Sequence, residues 1–322
     1  MTWRDLDMAD LAMCLEIQPA CIGDELVSRE KALQVWATLP RYRSFHGIVI
    51  EADQPVAGSR IVGCGLGVFV TSEFVDSEIA RPRPGLNSRI IASVSTGAPV
   101  VLTYDQLARG NASDGLDFVN MYGTWRDGVL DAERLAELEA LLGFSWVVSH
   151  AGYRMKRILK EAIGNPRVGL ARATGIWRTI CEFPELNRAL VMVDRESARS
   201  VPYSAASVIY NFNQPVLGFS EGDQQLLLTA LRGATDGELA AKLETTVASV
   251  KRRWFRILER VDHAIPDLFA TGEAKSEERR GPQKRHHLLS YIRAHPEELR
   301  PFATSKQRKP IVRPQALAQS SG

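Results

Sequence analysis

Between Leu217 and Val261 the apolar residues are spaced for three short helices separated by turns, so this end of the chain must close a small helical core. Ser220 followed by Asp223 starts the first: a hydroxyl caps free N–H groups and an acid sits in the first turn. Leu226, Leu227, Ala230 and Leu231 recur at helical spacing, and Gly233 ends the helix. Thr235 and Asp236 open the second, whose buried side is Leu239, Ala240 and Leu243. Thr246 caps the third. Along it Val247, Val250, Trp254, Ile257, Leu258 and Val261 fall within an arc of roughly 100°. Ser249, Arg252, Arg256 and Arg260 occupy the opposite arc, with Lys251 and Arg253 on its flanks. A helix with such a face fits the DNA major groove, where Arg and Lys read guanine edges. A solvated basic face of a helical bundle has the same pattern.

The ordered set resembles the LuxR/GerE-type helix-turn-helix, without a gap from Phe219 to Val261. Phe219-Ser220 stands at the family's Leu-Thr, Asp223 at its recurrent acid, and Gly233 at the glycine after the first helix. Glu238-Leu239-Ala240 matches Glu-Ile-Ala, Ser249-Val250-Lys251 matches Thr-Val-Lys, and Ile257-Leu258 matches Ile-Leu. The resemblance implies that Lys251 and Arg252 approach bases, while Thr246, Ser249, Arg253 and Arg256 position the helix on phosphates. Thr245 departs from an aliphatic residue, Arg253 from a common His, and Trp254 from a smaller apolar residue. Pro266 interrupts where the family continues into a dimerising helix.

The 322 residues suit two domains, and 45% hydrophobic residues allow a sizeable core. Charge is unevenly placed. Residues 251–322 carry 16 Lys and Arg against 8 Asp and Glu, and residues 1–250 carry 24 against 30. A basic end on an acidic body suits a polyanion contact. Cys14, Cys21, Cys64 and Cys181 show no CxxC pairing, which points to reduced thiols rather than a metal site. MTWRDLDMAD does not read as a secretory leader. The longest apolar run, Ile61 to Val70, is glycine-rich and too short to span a bilayer. A cytoplasmic protein is expected, with no membrane contact.

Upstream, helices are expected over 4–20 and 26–38, and strands over 45–51 and 60–70. Alternating Gly63, Gly65 and Gly67 point to close packing or a β-bulge. A short helix follows in VVLTYDQLARG and a strand in GLDFVNMYGTW. A long helical stretch is expected over 131–163, divisible at Gly143 and Gly152, then strands near 188–193 and 206–212. The helix-first entry, the glycine-rich strand and the HAGYRMKRIL segment make residues 1–212 similar to GNAT-type acyltransferase folds. That family holds acyl-CoA pyrophosphate on an Arg/Gln-x-x-Gly-x-Gly/Ala turn, which this sequence lacks. A GAF/PAS-like sensor is the alternative. His150 and Tyr153 with Arg154 and Arg157 form a polar group suited to acid–base work or anion binding, although a hydrogen-bonded structural His and a solvated helix face are the ordinary explanation. Trp125, Tyr122 and Asp127 suit the edge of a core. Residues 266–287 read as a charged linker, with His286-His287 a solvated pair. LLSYIRAHPEELR reads as a short helix, and the final stretch as a disordered basic end.

The expected architecture is therefore a mixed-sheet α/β domain over 1–212, a helix-turn-helix DNA-binding domain over 213–270, and a basic tail over 271–322. The expected function is a one-component LuxR-type transcription regulator, not an enzyme and without a cofactor. It would bind double-stranded DNA as a homodimer, with a small-molecule or protein effector at the N-terminal domain. The rival readings are an acyl-CoA-dependent acyltransferase carrying a DNA-binding domain, and a protein-binding adaptor.

Overall fold

The computed structural model describes residues 1–17, 27–39, 43–269 and 277–303. Seven strands form one sheet: β1 (Thr2–Asp5), β2 (Phe45–Val56), β3 (Ser59–Val70), β4 (Leu116–Trp125), β5 (Met155–Ile163), β6 (Arg178–Phe183) and β7 (Arg188–Asp194). Their order is β1-β2-β3-β4-β5-β7-β6, antiparallel throughout except for β4 beside β5. The β2–β3 hairpin turns on Ala57 and Gly58, both at positive φ (48° and 81°). Such a turn matches the twist of the flanking strands.

One face of the sheet is covered by α1 (Leu11–Ile17), α2 (Arg29–Thr38), α3 (Ser72–Ala80) and α4 (Leu86–Ser95). Leu11, Cys14, Trp36 and Ile90 pack there against Leu66, Val68 and Met121. After α5 (Tyr104–Ala112), the long helix α6 (Ala132–His150) crosses the other face. Its Leu138 packs with Ile48, Val62 and Trp125. The short helices α7 (Asn165–Ala173), α8 (Arg195–Ser200) and α9 (Ala205–Ile209) complete the domain.

The parallel pair is short. β4 and β5 register from Leu116↔Met155 to Val119↔Leu159 and then part. β4 stays with β3 as far as Gly63↔Trp125, while β5 stays with β7 as far as Ile163↔Arg188. On the α4 face the start of that helix fills the gap. Gly85 N and Leu86 N donate to the Glu161 carboxylate at 3.0 and 2.7 Å, and Asn87 Nδ2 donates to Met121 O at 2.5 Å. Arg188 closes the buried charge at 3.3 Å from Glu161.

Four expectations need correction. Residues 2–5 pair as an edge strand, and the capping box of Asp7 with Asp10 delays the first helical turn to Met8. The expected helix over 131–163 ends at His150, because Gly152 takes φ +84° and packs on the Glu297 backbone, where a Cβ would clash. Residues 155–163 are then a strand. ASVIYNF is not a strand either; Ser204 caps it into α9. Residues 277–287, the end of the expected linker, are helical and continuous with the helix expected from Leu288, which runs to Ala294. The remainder of the basic tail, residues 304–322, lies outside the described residues, as does Cys21.

At the C-terminal end α10 (Glu221–Ala230), α11 (Asp236–Lys242), α12 (Val247–Ala264) and α13 (Glu277–Ala294) share a core of Leu226, Leu239, Trp254, Ile257, Leu288 and Ile292. Ser220 and Thr235 form capping boxes with Asp223 and Glu238. A segment after α13 ties this core to the sheet domain. Glu298 accepts from Val216 N and Leu217 N, and Gln224 Nε2 donates to Arg300 O at 2.9 Å. Asn111 Nδ2 donates to Pro301 O at 2.7 Å, and Ala303 N to Ala108 O at 3.0 Å. Arg43–Glu221 and Arg232–Asp5 ion pairs cross the same boundary. No helix among the described residues is long and apolar enough to cross a membrane.

Candidate active site

Between α6 and the sheet, where β4 leaves β5, lies a cavity of about 280 Å³. Gly65 and Gly67 of β3 line its floor, and Gly63 continues their row beneath Leu138. A Cβ on Gly63 or Gly65 would point at Leu138 or Leu142 of α6, and one on Gly67 would collide with the Phe118 ring and stand 2.7 Å from Val119 O. The alternation of a strand puts all three on the α6 face. Opposite Leu66 and Gly67 the pairing skips Met121, a bulge that bends β4 at this place. Gly123 of β4 extends the same floor. Without side chains there, α6 bridges a hollow rather than resting on a packed surface.

The walls are aromatic. Trp146 and Trp177 stack with centroids 5.9 Å apart, and Trp125 carries the Arg167 guanidinium at 4.6 Å. Lys160, half-buried on the α6 face of β5, places its amine 5.8 Å from the Trp177 ring centre. Burial, helped by the nearby Arg167 charge, pushes the Lys160 amine down to about 8. Arg167 itself is engaged by Asp127 at 3.2 Å, Thr124 Oγ1 at 3.1 Å and Trp125 O at 3.3 Å. Among the described residues no carboxylate forms an ion pair with Lys160, and Glu139 is the one carboxylate residue on the cavity wall.

At the deep end His46 and His150 face each other with ring centroids 5.0 Å apart. His150 Nδ1 lies 2.7 Å from Trp146 O. A carbonyl only accepts, so Nδ1 holds the proton and Nε2 is bare. His46 Nε2 lies 3.4 Å from the Tyr153 hydroxyl. Arg300, reaching in from the C-terminal segment, covers the Tyr153 ring at 4.6 Å and donates to Ala151 O and Val148 O. Burial holds both imidazoles low, His150 down to about 4, so both are neutral at pH 7.

Of the polar group singled out in the sequence, His150 reaches the cavity wall and Tyr153 stands behind it. Arg154 instead donates to Ser113 O and covers Phe212 at 4.4 Å. Arg157 is held by Asp117 and Asp76 at 2.8 and 2.6 Å. Tyr122 packs on Trp36, with ring centroids 5.0 Å apart. His46, Lys160 and Glu139 were not foreseen as site residues. The glycine alternation was the visible signal, but it reads as a cavity only once the facing helix is placed.

The helix after β4 offers no cradle for a pyrophosphate. Its N-terminus is capped by Asp131, whose side chain accepts from Arg134 N, and Glu133 stands in its first turn. Both carboxylates occupy the ground an anion would use.

On α12, Thr246 Oγ1 accepts from Ser249 N at 3.1 Å and donates to Ser249 Oγ at 3.0 Å. Ser249 Oγ also accepts from Arg252 at 3.0 Å. Lys251, Arg252 and Arg256 are exposed. Arg253, half-buried, donates to Gly222 O at 3.3 Å, and the exposed Arg260 donates to Gly218 O at 2.9 Å. Part of the basic arc therefore ties α12 to the start of α10.

No protein-family model matches the chain, and no curated protein is matched by it. Solved structures similar to it include the C-terminal condensation domain of Ebony in complex with beta-alanyl-dopamine, at 12% identity and a TM-score of 0.34 over 60% of this chain and 98% of that one. A mosquito arylalkylamine N-acetyltransferase like 5b matches at 12% identity and a TM-score of 0.35, over 59% and 97%. A Drosophila melanogaster polyamine N-acetyltransferase matches at 10% identity and a TM-score of 0.33, over 60% and 97%. The mixed seven-stranded sheet with flanking helices makes an α/β domain. The regulator expectation is corrected. The similar structures named above are N-acetyltransferases and a condensation domain, not DNA-binding regulators, and no family model matches the chain. The expectation of a non-enzyme falls with it.

Proposed function

We propose that the protein is an acyltransferase, moving an acyl group from a thioester to a small amine held in the cavity between β4 and β5. The observation that carries this reading is the parting of the two strands beside that cavity. Trp125 O turns into the gap to meet Arg167. Carbonyls alternate along a strand, so Gly123 turns its backbone edge into the same gap. A free strand edge binds an extended amide chain by strand addition, and the pantetheine arm of an acyl thioester is such a chain. The acyl carbon at its end would lie over the glycine floor.

In the reaction the acceptor nitrogen attacks the thioester carbon, the C–N bond forms, the C–S bond breaks, and the proton lost from nitrogen ends on the departing thiolate. Burial brings both imidazoles down to or below the range of an ordinary carboxylate, so they hold no advantage over one as proton acceptor. Glu139, on the wall, is the group we assign to take it. The acids at the start of α6 favour a donor bound through its arm rather than its phosphates, so S-acetylpantetheine should serve nearly as well as acetyl-CoA.

The test is acceptor-dependent release of free thiol by the full-length protein, with both donors and a panel of aryl and alkyl amines. Release that falls at least tenfold in Gly123→Val and in Glu139→Gln supports the reading. No acceptor-dependent release with either donor overturns it.

A further inference from the structure

We infer that the cavity is built for a small flat ligand carrying a carboxylate, which pairs with Lys160 while its ring lies against the Trp146–Trp177 stack. In the acyltransfer reading, on which this substrate class rests, the acceptor is then an aromatic α-amino acid or a related amino acid, acylated on its nitrogen. The volume of about 280 Å³ sits at the small end of ligand pockets. It suits a single ring with a short side chain.

The charge pattern sets the class. An ammonium group in an apolar, aromatic enclosure is costly unless it has a partner. Arg167 has Asp127, Arg157 has Asp117, and Arg188 has Glu161. Lys160 has no carboxylate partner among the described residues and stands on the cavity wall. Its depressed proton affinity has the same origin: burial and the like charge of Arg167. A second donor on that wall is also without an acceptor, the indole N–H of Trp146. Two donors that lack acceptors, one of them a cation, match a group that accepts and carries negative charge, as an ionised carboxylate does. A simple amine ligand would instead set its own positive charge beside Lys160 and Arg167.

The experiment is calorimetric titration of the full-length protein at pH 6.5 with 3-phenylpropionate and with its neutral amide, without acyl donor. The acid should bind at least tenfold more tightly than the amide. Lys160→Met should abolish that preference, Lys160→Arg should keep most of it, and Trp177→Leu should weaken both ligands alike. Equal binding of acid and amide, binding of neither, or a preference that survives Lys160→Met overturns the assignment. The two readings fail separately. Acid-selective binding with no thiol release would leave the ligand class standing and remove the acyltransferase. Thiol release with amines alone and no acid preference would do the reverse.

Discussion

Replacing Lys160 by Met puts a number on what the unpaired amine costs the fold. In an unfolded chain the group titrates at 10.5, and in the folded protein burial holds it at about 8. Each tenfold change in a proton equilibrium is worth about 1.4 kcal/mol, so keeping the charged amine in the cavity costs the folded state about 3 kcal/mol. The sign follows from proton counts. Below pH 8 both states are protonated and the whole cost is felt. Between about 8 and 10.5 the unfolded chain binds the proton and the folded one does not, so stability rises with pH. Above 10.5 neither is charged and the cost is gone. Met keeps the length of the stem without the charge. Urea unfolding at pH 7 should therefore find Lys160→Met more stable than the unsubstituted protein, by about 2–3 kcal/mol after some loss of stem packing. At pH 9.5 the gap should have narrowed. Added 3-phenylpropionate should stabilise the natural protein and leave the variant unmoved. A variant less stable at pH 7, or a gap indifferent to pH, would refute the argument that Lys160 is a half-buried cation without a carboxylate partner among the described residues.

Three further outcomes test the scaffold around the cavity. Gly67→Ala drives a methyl into the Phe118 ring and to 2.7 Å from Val119 O, and should lower stability by about 1–3 kcal/mol in a denaturant melt. Glu161→Gln removes the buried negative charge 3.3 Å from Arg188 and weakens the grip on the Gly85 and Leu86 amides, at about 3 kcal/mol by the same measurement. Ser220→Ala removes one capping box from α10 and should cost about 1 kcal/mol, with no effect on ligand binding in the cavity.

Where local chemistry decides, the sequence could be read. The caps at Ser220, Thr235 and Thr246 and the stripe from Val250 to Val261 appear as the spacing requires, because each is settled within a few residues. Elements decided by distant partners were misjudged. KRILKEAI is rich in helix formers, yet it lies as a strand between β4 and β7, because the sheet supplies bonds and burial that propensity does not register. The first turns of the helix at 277–294 look like a linker until Arg285 finds Asp236 and the Trp254 ring, while Leu288 and Ile292, in the part read as a helix, reach the bundle core.

The site was hidden for the same reason. Lys160 placed on a helix face is an ordinary solvated lysine, and Gly63, Gly65 and Gly67 read alone are a packing motif. Their meaning depends on register. With β5 as a strand, Glu161 turns to α4 and Lys160 to α6, so one residue's shift would exchange a buried ion pair for an amine facing the cavity. The three glycines clear the surface on that same side, Gly123 widens it, and the parting of β4 from β5 opens it to a ligand. A packed protein would fill such a hollow with leucine. Here the chain leaves it empty and sets a cation with no internal partner at its wall, an arrangement that costs stability and is accounted for by a ligand that brings the missing charge.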